Sequence, residues 1–250
     1  MDEDETSLFN RNLVLDSVKD VLIKIFGNKI VSAIVYGSTL NEDFCIKSDY
    51  DILLVVIKSD LKFLKDLRGV KIDFKNRGVE IDFNVHDYGD IPSIRKDLFW
   101  HNNRGLYVQK EFEIYGKVLI GENLFRSTGF KNIDMLKEAV RVINSLNYQA
   151  RKLIINQSLE DDGNKILMMK WCIYGALYAL ASRGIYPIDK RVALKTFYEE
   201  FDPPINPEKF LHIKITRPTE ITQEDVEVAY EFLTYLDKKI FNDYKQFSEG

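Results

Sequence analysis

The sequence predicts an α/β (α+β) N-terminal part, residues 1–128, followed by an all-helical C-terminal part, residues 129–250. Three observations carry that division. Short β-branched runs bounded by polar loops recur through the first half. One stretch alternates strictly between apolar and polar residues. Beyond Thr128 the apolar spacing changes from a period of two to a period near 3.6.

The elements follow in order. From Asn12 to Phe26, Leu13, Val14, Val18, Leu22, Ile25 and Phe26 recur at helical spacing, and Gly27 is a natural C-terminal stop. Ile30–Tyr36 and Ile52–Ile57 are short and rich in β-branched residues, which reads as two strands. Val79–Val85 alternates, with Val79, Ile81, Phe83 and Val85 on one face and Glu80, Asp82 and Asn84 on the other. Val118–Ile120, after Tyr115-Gly116, completes the strands. In the second half, Ile133, Leu136, Val140, Ile143, Leu146, Ala150, Leu153 and Ile154 fit an amphipathic helix. Ile166–Ser182 is apolar almost all round, as the central helix of a bundle would be. Lys190–Phe201 and Gln223–Phe247 supply two more helices, separated by the breaker DPPINP at Asp202–Pro207. The joint near Gly129 is not linker-like, so the two halves are expected to pack closely.

Composition narrows the function classes. A chain of 250 residues, 45% apolar and 12% aromatic, buries a real core and is not disordered. Its formal net charge of −4 argues against a protein whose main task is holding nucleic acid through phosphates. Two cysteines, Cys45 and Cys172, cannot build a disulfide framework or a cysteine-rich zinc site. The start, MDEDETSLF, is acidic where a secretory signal would be basic and then apolar. The most apolar stretch, Ile166–Ala181, is interrupted by Lys170 and falls short of the ~20 residues that cross a bilayer. A soluble cytoplasmic protein that binds neither membrane nor nucleic acid stably is expected.

The chemistry concentrates between the first two strands. Tyr36-Gly37-Ser38 is followed by Asp49-Tyr50-Asp51 at the head of an apolar strand. Carboxylates at i and i+2 on a strand point the same way, about 6–7 Å apart along the chain. Like charges that close repel unless a cation lies between them, and an all-oxygen site suits a hard ion, Mg²⁺ or Mn²⁺. Gly37, without a Cβ, lets backbone amides approach a phosphate, and Ser38 adds a hydroxyl donor beside them. A phosphate cradle beside a metal-binding carboxylate pair describes phosphoryl or nucleotidyl transfer.

Those residues resemble the DNA polymerase β nucleotidyltransferase superfamily: Gly37-Ser38, then Ser48-Asp49-Tyr50-Asp51, then an acidic residue on a later strand. Val79-Glu80-Ile81-Asp82-Phe83-Asn84-Val85-His86-Asp87, with Ile91-Pro92 after it, is similar to the third-carboxylate strand of the streptomycin and spectinomycin adenylyltransferases. The resemblance implies a small mixed sheet and a site in the cleft between the two halves. It also implies metal-dependent transfer of AMP from ATP to a hydroxyl of an aminoglycoside-like molecule, an antibiotic-resistance activity. Mapped onto this sequence, Asp49 and Asp51 are metal ligands, and Glu80 ligates a metal or takes the acceptor proton. Gly37, Ser38 and Ser48 meet the nucleotide, and Lys190 faces its triphosphate.

Periodicity alone does not choose between Glu80 and Asp82. The resemblance and the longer reach of glutamate favour Glu80, which leaves Asp82 a positioning role. His86 reads as a structural hydrogen-bonder rather than a base. Trp100, His101 and Tyr107 are available to stack on a ring, while Trp171 reads as core. Two other functions stay open: antitoxin-type adenylylation of a protein, and a non-catalytic nucleotide-binding module. Presence of all three of Asp49, Asp51 and Glu80 ranks the last of these lowest.

Overall fold

The structure is a computed structural model that describes residues 3–40, 49–91, 105–125, 132–156, 161–187, 189–216 and 220–249. The chain divides into two compact units, Met1–Thr128 and Gly129–Gly250.

The first unit contains helices α1 (Glu3–Phe26), α2 (Leu61–Asn76) and α3 (Gly105–Tyr115), with strands β1 (Ile30–Val35), β2 (Tyr50–Val56), β3 (Ile81–Asp87) and β4 (Lys117–Gly121). They form one mixed sheet in the order β3-β2-β1-β4. β1 runs antiparallel to both β2 and β4, whereas β2 and β3 are parallel. A parallel pair needs a crossover, and α2 supplies it. α2 has no counterpart among the elements expected from periodicity. It starts at Asp60, whose carboxylate accepts the Phe63 N–H at 2.8 Å, and buries Phe63, Leu67, Val70 and Phe74 on one stripe. β3 begins two residues later than the alternating pattern suggests, because the Val79 N–H instead returns to the Phe74 carbonyl at the end of α2. β2 begins at Tyr50 rather than Ile52, so Asp51 is a strand residue.

Each sheet face has its own core. Ala33, Val35, Ile52, Leu54, Val56 and Ile81 pack with Leu15, Val18, Leu22 and Phe26 of α1 and the buried stripe of α2. On the opposite face Ile34, Tyr36, Leu53 and Val55 pack with Ile91, Phe112 and Phe125.

The second unit is all helical among its described residues: α4 (Asn132–Asn156), α5 (Asp162–Ser182), α6 (Lys190–Phe201), α7 (Glu208–Thr216) and α8 (Gln223–Glu249). α5 is the central helix, buried at most positions from Met168 to Ala181 with Lys170 exposed, and touching α4, α6, α7 and α8. Aspartates start two of these helices: Asp161 accepts the Gly163 N–H at 2.7 Å and Asp189 the Val192 N–H at 2.9 Å. α6 ends at Asp202, which takes a left-handed conformation before the proline run. α7, absent from the periodicity reading, lies between that run and α8. No helix among the described residues is long and apolar enough to cross a membrane.

Candidate active site

The site begins where β1 ends. Tyr36 still donates its N–H to the Asp51 carbonyl at 3.1 Å, and the chain then turns through Gly37 into a short 3-10 turn, Gly37–Leu40. Gly37 has φ +63°, and a Cβ on it would stand 2.7 Å from Asp51 Oδ2. Both conditions disfavour a residue with a Cβ: the backbone is left-handed, and the turn lies in contact with a carboxylate. Thr39, 1% exposed, accepts the Asp51 N–H on its hydroxyl at 2.8 Å. The Thr39 carbonyl in turn accepts Arg11 Nη1 of α1 at 3.0 Å.

Parallel pairing of β2 with β3 sets Asp51 opposite Asp82. Asp49, Asp51 and Asp82 each offer a carboxylate oxygen, and these oxygens lie within 4.8 Å of one another. Asp49 and Asp82 are exposed, and Asp51 is half-buried. A magnesium ion holds its ligands at about 2.0–2.1 Å, so oxygens on one ion stand about 3–4 Å apart. The three carboxylates therefore need only small side-chain rotations to share a cation. An all-oxygen, triply negative donor set fits a hard divalent ion.

Glu80, expected as the third carboxylate, is not one of the three. It precedes β3, its carbonyl accepts the Tyr50 N–H at 2.9 Å, and its carboxylate pairs with Lys75 at 3.3 Å. One turn earlier on α2, Lys71 lies 3.7 Å from Asp82. Register accounts for this placement: β3 sets Asp82 directly across from Asp51, and Glu80 lies before the strand begins.

Beyond the carboxylates the same face of β3 continues with Asn84 and His86. Asn84 Nδ2 donates to the Tyr36 hydroxyl, and the Tyr36 ring meets Phe112 edge-on at 4.7 Å. His86 is half-buried; burial lowers its pKa from the ordinary value, while the charges of Asp90 and Asp87 oppose that shift. Four residues separate His86 from Asp82, about 13 Å along a strand, so His86 does not belong to the carboxylate group.

The remaining expected residues are placed as follows. The Ser38 backbone lies in the Gly37–Leu40 turn. Ser48, Trp100, His101 and the Tyr107 side chain lie outside the described residues. Trp171 is half-buried on α5. Lys190 opens α6 in the second unit. Within that unit its charge and that of Lys170 add to burial, the larger cause, in lowering the pKa of Lys214. Arg11, Thr39, Lys71 and Lys75 were not singled out from sequence. Thr39 carried a usable signal, since a hydroxyl in a tight turn commonly bonds nearby backbone.

No protein-family profile matches the chain, and no curated protein matches it by sequence. Among solved structures, the fold is similar to that of spectinomycin adenyltransferase from Enterococcus faecialis, crystallised with ATP and spectinomycin. The likeness has a TM-score of 0.53 at 15% identity and covers 93% of this chain and 98% of the other. The chain has the α+β fold of a nucleotidyltransferase followed by a helical part.

Proposed function

We propose that this protein is a metal-dependent nucleotidyltransferase that moves AMP from ATP to a hydroxyl of an aminoglycoside-like small molecule. The observation that carries the reading is the contact between a left-handed glycine turn and a three-carboxylate group: Gly37 lies against Asp51, which stands with Asp49 and Asp82. That juxtaposition is what transfer at a phosphate needs, with close backbone approach on one side and anionic metal ligands on the other. Likeness to a fold that binds ATP and spectinomycin in another protein supports the choice of donor and acceptor.

In this reading Asp49, Asp51 and Asp82 would hold Mg²⁺ or Mn²⁺, and the ion would supply charge neutralisation to the triphosphate. Gly37, Ser38 and Ser48 would meet the phosphates. Glu80 precedes Asp82 by two residues and so shares its face of the alternating pattern. It takes the acceptor's proton. The acceptor oxygen then bonds the α-phosphorus, the bond from that phosphorus to the bridging oxygen breaks, and pyrophosphate leaves with the electron pair.

The test is transfer of label from α-³²P-ATP and, in parallel, from γ-³²P-ATP to a panel of aminoglycosides and spectinomycin. Label from the α position alone, with stoichiometric pyrophosphate, is the expected result. Label from the γ position would make the protein a kinase. No transfer and no pyrophosphate with any acceptor would remove the reading.

A further inference from the structure

Thr39 belongs to none of the residue patterns that point to phosphate chemistry, yet its hydroxyl touches the backbone of two of the three carboxylate residues. It accepts the Asp51 N–H at 2.8 Å and donates to the Asp49 carbonyl at 3.5 Å. The ladder explains why. A hydrogen-bonded antiparallel pair exchanges two N–H···O bonds, one in each direction. Tyr36 and Asp51 make the first of these, at 3.1 Å from the Tyr36 N–H to the Asp51 carbonyl. The reciprocal donor, the Asp51 N–H, goes to the Thr39 hydroxyl instead, because the chain turns away at Gly37.

We propose that Thr39 is a positioning residue of the transfer site, its hydroxyl setting the spacing between the Gly37–Leu40 turn and the Asp49 and Asp51 carboxylates. The inference rests on the nucleotidyltransferase reading above. A side chain thus replaces the last rung of the β1–β2 ladder and docks the turn onto β2. Burial of Thr39 removes water as a competing partner, and Arg11 holds the other side of the turn through the Thr39 carbonyl at 3.0 Å. The turn already lies so close that a single added carbon at Gly37 would meet Asp51 Oδ2. A change in docking therefore changes the gap in which a phosphate bridges backbone and carboxylates. Misplacement of about 1 Å in such a gap lowers rates by about 10²-fold.

Thr39→Val keeps the shape and removes the hydroxyl; Thr39→Ser keeps the hydroxyl and removes a methyl. Binding of Mn²⁺ with ATP is read by the loss of the free Mn²⁺ resonance, beside far-UV circular dichroism, thermal melting and turnover. The valine variant is expected to stay folded while Mn²⁺·ATP affinity and turnover each fall about 10–100-fold, with the serine variant recovering most of both. Wild-type affinity and turnover in the folded valine variant would overturn the proposal. So would equal loss in the valine and serine variants, because the serine variant keeps the hydroxyl that the proposal holds responsible. Should the valine variant not fold, Arg11→Met, which frees the turn but leaves the Asp51 N–H its acceptor, must weaken Mn²⁺·ATP binding; unchanged binding there also overturns the proposal. Wild-type protein that binds no Mn²⁺·ATP would instead remove the nucleotidyltransferase reading and this inference with it.

Discussion

The two faces of the first unit's sheet are built by opposite rules. On the face covered by α1 and α2, Ile52, Leu54 and Val56 of β2 are fully buried and lie beside Ile81 of β3. On the other face the same two strands carry Asp51, then Leu53 and Val55, beside Asp82, Asn84 and His86. One face is closed by α1 and α2. The other grows more polar toward the β3 edge and more acidic toward the Gly37 turn. The difference teaches that parity along β2 separates two cores, while the acidic groups are confined to one end of the second face, because Leu53 and Val55 share the parity of Asp51 and are fully buried. Position along the strand, as well as face, therefore decides what a substitution does: Asp51 is half-buried and Leu53, two residues on, is core.

The largest expected effect comes from the polar face. Asp51→Asn removes one charge from three mutually repelling carboxylates, so transfer should be abolished while the protein stays folded. Steady-state turnover in Mg²⁺, read beside circular dichroism, checks it. A folded variant with near-wild-type turnover would break the assignment of this face to chemistry.

Next in size is the separation of two acidic residues on that same face. Glu80→Gln should lower kcat by about 10²–10⁴-fold, as loss of a base does, with Mn²⁺ affinity largely kept. Asp82→Asn should weaken Mn²⁺ binding, because its oxygen stands with those of Asp49 and Asp51. Loss of the Glu80–Lys75 pair adds little to either measurement, since both side chains are about half exposed or more, at 46% and 66%. Reversed results would make Glu80 the ligand and return Asp82 to a positioning role.

The covered face gives the mirror image. Leu54 is fully buried between β1 and β3 and packs beneath the helices. Leu54→Ala should cost about 2–5 kcal/mol of stability by lost burial and a residual cavity. Denaturant midpoints report that loss, and Mn²⁺ affinity at low denaturant should hold. A drop in metal affinity as large as that for Asp82→Asn would show that the two faces are not independent.

Much of this was legible from residue order, for a local reason. Alternation over Val79–Val85 assigns faces without knowledge of any partner strand, and Gly37-Ser38 lies within a short span of Asp49 and Asp51. Lys190–Phe201 is likewise bounded by its own aspartates, Asp189 and Asp202. What was not legible is non-local or diluted. α2 buries only Phe63, Leu67, Val70 and Phe74, while exposed Leu61, Leu64 and Ile72 blur the stripe. That Asp82 rather than Glu80 stands beside Asp49 and Asp51 depends on the register between β2 and β3, which no spacing within either strand encodes. Thr39 matters through a rung the ladder lacks, and that is visible only once Tyr36 and Asp51 are paired.

The smallest effect concerns His86, the member of the polar face farthest from the carboxylates. Burial lowers its pKa below the usual histidine value of 6.5, against the opposing charges of Asp90 and Asp87. The unfolded chain therefore binds a proton at a higher pH than the folded one. Between the lowered folded value and 6.5 the unfolded state carries more protons, so stability falls as pH falls through that window and is full above it. His86→Gln removes the titrating group, so the pH dependence of the denaturant midpoint between pH 7.5 and about 5.5 should become shallower in the variant. Turnover at pH 7.5 should change far less than in Glu80→Gln, because His86 lies about 13 Å from Asp82 along β3. A variant whose midpoint follows pH as steeply as wild type would show that Asp90 and Asp87 offset burial fully. A collapse of turnover would mean that the chemistry of this face extends two rungs further along β3 than the carboxylate group.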